Sequence, residues 1–124
     1  MTVQIQNISV PWKNDAQITI NVTAASPEDT LAGSTISWSV YAQQYGVLVD
    51  PPTPLLTKTV GSGITITGSL YPMQFVVTLS HADLAAFPTP PFGNYYHEAL
   101  VTDTSQSRDT VVGGILTVTL SENT

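Results

Sequence analysis

The feature that most constrains the fold is an alternation of apolar and polar residues that recurs along the chain. Ile18, Ile20 and Val22 alternate with polar residues, and Ile36 and Trp38 continue the same pattern further on. Successive side chains of a β-strand point to opposite faces, so a period of two predicts half-buried strands. The pattern predicts seven or eight short strands, within residues 3–10, 16–24, 35–42, 55–60, 64–67, 73–80, 95–102 and 110–120.

Turn signals separate these strands at roughly ten-residue intervals, which indicates an all-β sandwich or barrel. A break in phase between Ile5 and Ile8 predicts a bulge in the first strand, and Gly113-Gly114 is predicted to split the last one. Ser80 and Asp83 have the spacing of a variant capping box, which predicts one short helical turn. The chain has 124 residues and shows no internal repeat. We therefore expect a single domain spanning residues 1–124.

The charge of the chain excludes several classes of partner. The formal net charge is −6, and Lys13, Lys58 and Arg108 are the three cations. Phosphate backbones and anionic membranes are bound by clustered Lys and Arg, so we expect neither nucleic acid nor membrane as a partner. The first residues lack the basic and apolar regions of a signal peptide, which favours synthesis and retention in a cytoplasm, or exit within an assembly. With no cysteine, the redox environment cannot be inferred.

The strand at residues 95–102 has two chemically different faces. One face carries Tyr95, His97, Ala99 and Val101, and the opposite face carries Glu98. A buried, unpaired carboxylate would cost several kcal/mol, so the face without Glu98 is predicted to point inward. His97 is then predicted to be a half-buried core histidine, with a ring nitrogen bonded to a backbone carbonyl.

Trp38 on the third strand and Tyr95 at the start of a later one resemble the pattern of immunoglobulin-type sandwiches. In that fold a tryptophan packs in the core and a tyrosine closes the corner by bonding to the upstream turn. The resemblance implies these roles for Trp38 and Tyr95. The cysteine pair of that fold is absent, and His97 takes the place of its second member. Ala99 and Ile20 are expected to pack the space between the sheets there.

A closer resemblance is to small immunoglobulin-like proteins of tailed bacteriophages. Residues 93–103, GNYYHEALVTD, and residues 112–118, VGGILTV, carry it, and residues 35–41 and 56–58 fit the same pattern. The layout is similar to the N-terminal domain of siphophage baseplate upper proteins. The resemblance implies an immunoglobulin-like antiparallel β-sandwich in a virion structural protein, present in many copies and made in the host cytoplasm. It carries over no catalytic or ligand residue.

The residues that could take part in catalysis or bind a metal are better explained by structural roles. His81 and Asp83 could assist a serine nucleophile, but the sequence has no G-x-S-x-G elbow that would carry one. His97 and Glu98 cannot act together, because they lie on opposite faces of one strand. The loop at residues 103–109 could hold calcium, but it lacks the oxygen spacing of an EF-hand, and a solvated hairpin is favoured. We therefore expect no enzymatic activity, no cofactor and no metal.

Proline-rich segments at residues 49–54 and 87–92 are the strongest candidates for an interface. Their backbone is stiff, so docking would cost little entropy, and exposed aromatic side chains often anchor interfaces. The interface candidates in and near these segments, or on an outer face, are Trp12, Tyr41, Tyr45, Pro51, Pro52, Phe87, Pro90 and Phe92.

The predicted function is therefore that of a non-enzymatic virion protein, in head decoration or as a tail or baseplate accessory. It would dock on other virion proteins through loops and edge strands. The alternative is a carbohydrate-binding or host-adhesion module, in which the aromatic side chains stack on sugar.

Overall fold

The computed structural model describes residues 3–11, 15–24, 30–42, 54–70, 73–80, 82–83, 87 and 93–119. They form nine β-strands: β1 (Gln4–Ile5), β2 (Ile8–Pro11), β3 (Ala16–Val22), β4 (Thr35–Tyr41), β5 (Leu56–Val60), β6 (Gly63–Gly68), β7 (Met73–Leu79), β8 (Gly93–Thr102) and β9 (Arg108–Thr119). None of the described residues belongs to a helix long and apolar enough to cross a membrane.

The strands form an immunoglobulin-like β-sandwich. Hydrogen bonding follows the order β1-β9-β8-β4-β5-β6-β7-β3, and β2 also pairs with β9. The short β5–β6 link, through Thr59–Gly63 and Val60–Ile64, divides this path into a larger sheet, β1/β2-β9-β8-β4-β5, and a smaller one, β6-β7-β3. The inward residues of both sheets share one apolar core, with Trp38, Ile20 and Phe75 fully buried.

The pairing differs from the predicted antiparallel sandwich in two places. Both β1 and β2 run parallel to β9, and β5 pairs parallel to β6 for two residues. The first strand therefore closes the open edge of β9 without a hairpin. The strand count is nine because this first strand is divided into β1 and β2.

The division between β1 and β2 is not the predicted bulge. Ile5 pairs with Gly113 and Ile8 with Leu116, so both strands advance by the same three residues and no extra residue is inserted. The pairing is interrupted because the carbonyl of Gln6 lies 2.6 Å from Nε2 of His97, and the side-chain oxygen of Asn7 accepts a bond from the amide of Ile115.

Gly113 and Gly114 do not split the last strand, contrary to prediction. β9 is continuous through both residues and pairs there with Glu98 and His97 of β8. A side chain at Gly114 would collide with the carbonyl of Gln6. Gly114 therefore lets the N-terminal segment approach an unbroken strand. The irregularity in β9 lies earlier, where the register with β8 shifts between Ala99 and Leu100.

At the predicted helical turn, the described residues show one turn with part of the capping box. The amide of Asp83 donates to the carbonyl of Ser80 at 3.0 Å, and the amide of Ser80 donates to Oδ2 of Asp83 at 2.7 Å. Residues 84–86 lie outside the described residues. Oδ2 of Asp83 also lies 2.9 Å from Nζ of Lys58, which ties β5 to the segment after β7.

Candidate functional site

The larger sheet turns one side away from the core, and we call this side the outer face. Strand registers and the alternation of side chains place the following residues on it: Thr35, Ser37, Ser39, Tyr41, Thr57, Thr59, Asn94, Tyr96, Glu98, Leu100, Thr102, Arg108, Gly113, Ile115 and Thr117. Glu98 and Arg108 are the charged residues in this described set. Ile5, next to Gly113 and 84% exposed, adds an apolar side chain at one edge.

A pair of tyrosines stands near the middle of β8 on the outer face. Tyr41 and Tyr96 are register partners on β4 and β8, and their rings are 6.3 Å apart and tilted by 31°. Both are partly exposed, because the alternation of side chains along each strand places them on the side away from the core. Tyr96 also lies over Gly113, where an added Cβ would be 3.0 Å from its hydroxyl. The absence of a side chain at Gly113 therefore leaves room for the Tyr96 ring on β9.

The hydroxyl of Tyr96 donates to Oε2 of Glu98 at 3.3 Å. Partial burial raises the pKa of Tyr96, and the charge and hydrogen bond of Glu98 raise it further. The phenol therefore keeps its proton at neutral pH and remains a donor to the carboxylate. This contact holds Glu98 close to the sheet surface instead of extended into solvent.

Neutral polar side chains fill most of the remaining outer face and bond to one another. The hydroxyls of Ser39 and Thr57 are 3.1 Å apart, and Thr117 donates to Oδ1 of Asn94 at 2.8 Å. Such groups keep spare donor and acceptor capacity toward a bound surface. With two aromatic rings, apolar side chains and few charges, the outer face is suited to packing against the surface of another molecule.

The structure places three of the predicted residues in the core. Trp38 and Ala99 are fully buried, and Tyr95 is 6% exposed. The inward face of β8 is the one predicted, with Tyr95, His97, Ala99 and Val101 buried. Burial raises the pKa of the Tyr95 phenol.

Phe87 is not an exposed interface anchor, contrary to prediction. It is 6% exposed, and its ring meets that of Tyr95 edge-on at 4.7 Å. Its apolar ring is more stable in the core than in water, which explains why Phe87 is buried. Tyr41 lies on the outer face as expected from the alternation of β4. Trp12, Tyr45, Pro51, Pro52, Pro90 and Phe92 lie outside the described residues.

The described residues that could act in catalysis or bind a metal either lie on opposite faces of the sheet or are already bonded to other groups of the fold. His97 is fully buried while Glu98 faces outward, and Asp83 is bonded to Lys58. Oδ1 of Asp103 accepts bonds from the amides of Ser105 and Ser107, which organises the β8–β9 hairpin. No three His, Asp or Glu residues within the described ranges are grouped so as to hold a metal ion. His81 lies outside those ranges.

Three residues of the outer face are not among the site residues predicted from the sequence: Tyr96, Ile115 and Arg108. Alternation alone places Tyr96 on the outward side of its strand. Its contact with Tyr41 depends on the register between β4 and β8, which joins residues 55 positions apart. That pairing carries no local sequence signal.

No family model matches the chain, and no curated protein matches it. One similar solved structure comes from photo-crosslinking analyses of multimeric cell-adhesive interactions of VGSC beta subunits. It has 13% sequence identity and a TM-score of 0.48, and the match covers 94% of this chain and 93% of that chain. Another is the PmoD soluble domain from a Methylocystis species, with 13% identity, a TM-score of 0.47 and coverage of 90% and 77%. Neither likeness bears on function.

Proposed function

We propose that the chain is a non-enzymatic structural protein of a tailed-bacteriophage virion, and that it docks on other virion proteins through the outer face. The observation that carries the docking proposal is the composition of that face. In the described part of the chain it presents Tyr41, Tyr96, Leu100 and Ile115 with one carboxylate and one guanidinium.

Docking through such a face avoids the main costs of association. Few ions have to leave water, and removing an ion from water is the most expensive step in burying a surface. The side chains stand on paired strands, so less conformational entropy is lost than for a mobile loop. Tyrosine is enriched at the energetic centres of interfaces, and Tyr96 stands near the middle of β8.

The assignment to a virion is supported by the resemblance of residues 93–103 and 112–118 to small phage immunoglobulin-like proteins. These residues include Tyr96, Glu98, Gly113 and Ile115, which form a large part of the outer face. Resemblance and proposed docking surface thus coincide on β8 and β9. This resemblance supports a location in the virion, in the head or in the tail and baseplate, and the protein would be made in the host cytoplasm.

Purified particles of the phage that encodes the chain provide the test. Mass spectrometry should find the chain in them. A Tyr96→Lys variant should enter particles at least tenfold less, because an ammonium group would be buried in the contact. Thr78→Lys is the matched control, since Thr78 is exposed on the smaller sheet, and it should enter normally.

Circular dichroism establishes that both variants fold. Absence of the chain from particles would overturn the virion proposal. Normal entry of a folded Tyr96→Lys variant would overturn the assignment of the outer face as the docking surface.

A second candidate is a carbohydrate-binding module. The Tyr41–Tyr96 pair beside Glu98 favours it, because aromatic rings stack on sugar and a carboxylate accepts bonds from sugar hydroxyls. A glycan array with signals that Tyr96→Ala abolishes would support this function in place of docking.

A further inference from the structure

A groove of about 360 Å³ opens at one end of the outer face. It lies where β4 and β9 begin and where β5 and β8 end. Its polar lining includes the hydroxyls of Thr35, Ser37, Thr59 and Thr102 and the side chain of Arg108. Leu100 and Val60 add apolar surface, and Val60 is 42% exposed. The groove therefore combines a cation, several hydroxyls and an apolar wall.

The exposure and pairing of Arg108 point to a ligand. Lys58, another of the three cations, is paired with Asp83. Arg108 is exposed, and no ion pair or side-chain hydrogen bond joins it to the residues that the structure describes. The chain as a whole carries a net charge of −6. Since no carboxylate among the described residues pairs with this guanidinium, it is available to an external anion.

The shape of the guanidinium specifies which anion it suits. Its planar fork binds a carboxylate through two parallel hydrogen bonds, which makes this contact stronger and more directional than one to a neutral group. The neighbouring hydroxyls can donate further bonds to the same carboxylate. Leu100 and Val60 give an apolar side chain next to that carboxylate a surface to cover.

We infer that the groove binds an acidic side chain of a partner protein, a Glu or Asp flanked by an apolar residue in an extended segment. The site adds a specific, charge-selecting contact at the end of a face whose other groups, apart from Glu98, are neutral. This inference rests on the proposed function, because the groove opens on the same outer face.

A pair of short peptides tests the inference. The probes are N-acetyl-Leu-Glu-Val-amide and the same peptide with Gln in place of Glu, each titrated while amide signals are followed by NMR. The Glu peptide should shift the signals of Leu100, Thr102 and Arg108 and bind at least fivefold more tightly than the Gln peptide. Equal binding of the two peptides, or shifts confined to other parts of the chain, would overturn the inference.

Variants assign the preference to Arg108. Arg108→Gln should lose the fivefold difference, and Arg108→Glu should instead prefer the Lys version of the peptide. Thr78→Glu is the matched control, because it and Arg108→Gln each lower the net charge by one unit, and it should keep the preference for Glu. Inorganic phosphate is a third probe. If phosphate binds as tightly as the Glu peptide, the groove is a general anion site and the inference fails.

The groove and the docking proposal fail separately. If the chain is absent from particles but binds the Glu peptide through Arg108, the groove stands and the virion function falls. If Tyr96→Lys blocks entry into particles but no peptide preference exists, docking stands and the groove inference falls.

Discussion

At the residue scale, His97 is the most informative side chain of the core. Nε1–H of Trp38 donates to Nδ1 of His97 at 3.1 Å, so Nδ1 carries no proton. The proton is then on Nε2, which donates to the carbonyl of Gln6 at 2.6 Å. One neutral tautomer thus satisfies three polar groups in a fully buried site. In this way the histidine connects β4, β8 and the N-terminal segment.

The stability of the fold should fall as the pH drops below about 6.5, the ordinary pKa of histidine. Burial lowers the pKa of His97, although the bond to Gln6 partly opposes this effect. The unfolded chain therefore binds a proton at a higher pH than the folded chain does. The contribution of neutral His97 to the free energy of unfolding is fully present above pH 6.5. Below that pH it declines by at most about 1.4 kcal/mol per pH unit. Urea unfolding between pH 5 and pH 8 measures this slope.

His97→Phe provides the comparison for that experiment. It removes both hydrogen bonds and should lower the free energy of unfolding at pH 8 by about 2 kcal/mol or more, because Trp38 and Gln6 lose their partner. It should also flatten the slope between pH 5 and 6.5. His81→Gln, which removes the other histidine, should keep the slope. A slope that disappears in His81→Gln and persists in His97→Phe would refute the assignment to His97.

Part of this arrangement can be predicted from the sequence. The alternation of β8 and the cost of burying Glu98 are local facts, so they predict an inward His97 with a backbone carbonyl as partner. The identity of the two partners is not local, because Gln6 is 91 residues and Trp38 is 59 residues away along the chain. The structure also corrects the predicted half-burial of His97, because its side chain is fully buried.

At the element scale, the N-terminal segment is the part that the sequence predicts least well. Parallel and antiparallel strands share one alternation, so a period of two cannot reveal that β1 and β2 run parallel to β9. The glycines at 113 and 114 suggest an end of a strand when taken alone. In the folded chain Gly114 is the place where the backbone of Gln6 comes close, and Gly113 leaves room for the side chain of Tyr96. Strands β3, β4 and β7 keep a buried inner face, and their predicted positions agree with the structure to within two residues.

Replacing Gly114 with Ala should dislodge the N-terminal segment. The new Cβ would collide with the backbone carbonyl of Gln6, which cannot move without losing its bond to His97. We expect a loss of about 2 kcal/mol in the free energy of unfolding, typical of overpacking in a core. Hydrogen exchange should show lost protection at the amides of Gln6 and Ile115, which bond across this contact.

Gly113→Ala is the matched control for this prediction. Its Cβ would be 3.0 Å from the hydroxyl of Tyr96, the far end of a side chain that can rotate away. Its cost should therefore be smaller than that of Gly114→Ala, because the strand preference of Ala over Gly, about 0.5–1 kcal/mol, offsets the small displacement of Tyr96. Equal losses from the two substitutions would show that the approach of Gln6 does not limit stability.

At the scale of the whole molecule, the two sheets depend on each other through one core. Trp38 and Ala99 line the larger sheet, and Ile20, Phe75 and Val77 line the smaller one, all within a single cluster of buried side chains. Each layer therefore depends on the other to cover its apolar inner face. Lys58 and Asp83 add an ion pair at 2.9 Å between β5 and the segment that follows β7. The molecule is therefore expected to unfold as one cooperative unit, as small single domains do.

Two optical probes test this cooperativity. The chain has two tryptophans, so Trp12→Phe leaves Trp38, which is fully buried, as the sole tryptophan reporter of the core. Its emission in urea should shift to longer wavelength with the same midpoint and slope as the loss of the far-UV circular dichroism of both sheets. The slope should lie at about 1–3 kcal/mol per M urea, the range of small proteins. Loss of the dichroism at lower urea than the change in Trp38 emission would mean that one sheet opens while the core around Trp38 persists. In that case the shared core would not be what holds the two layers together.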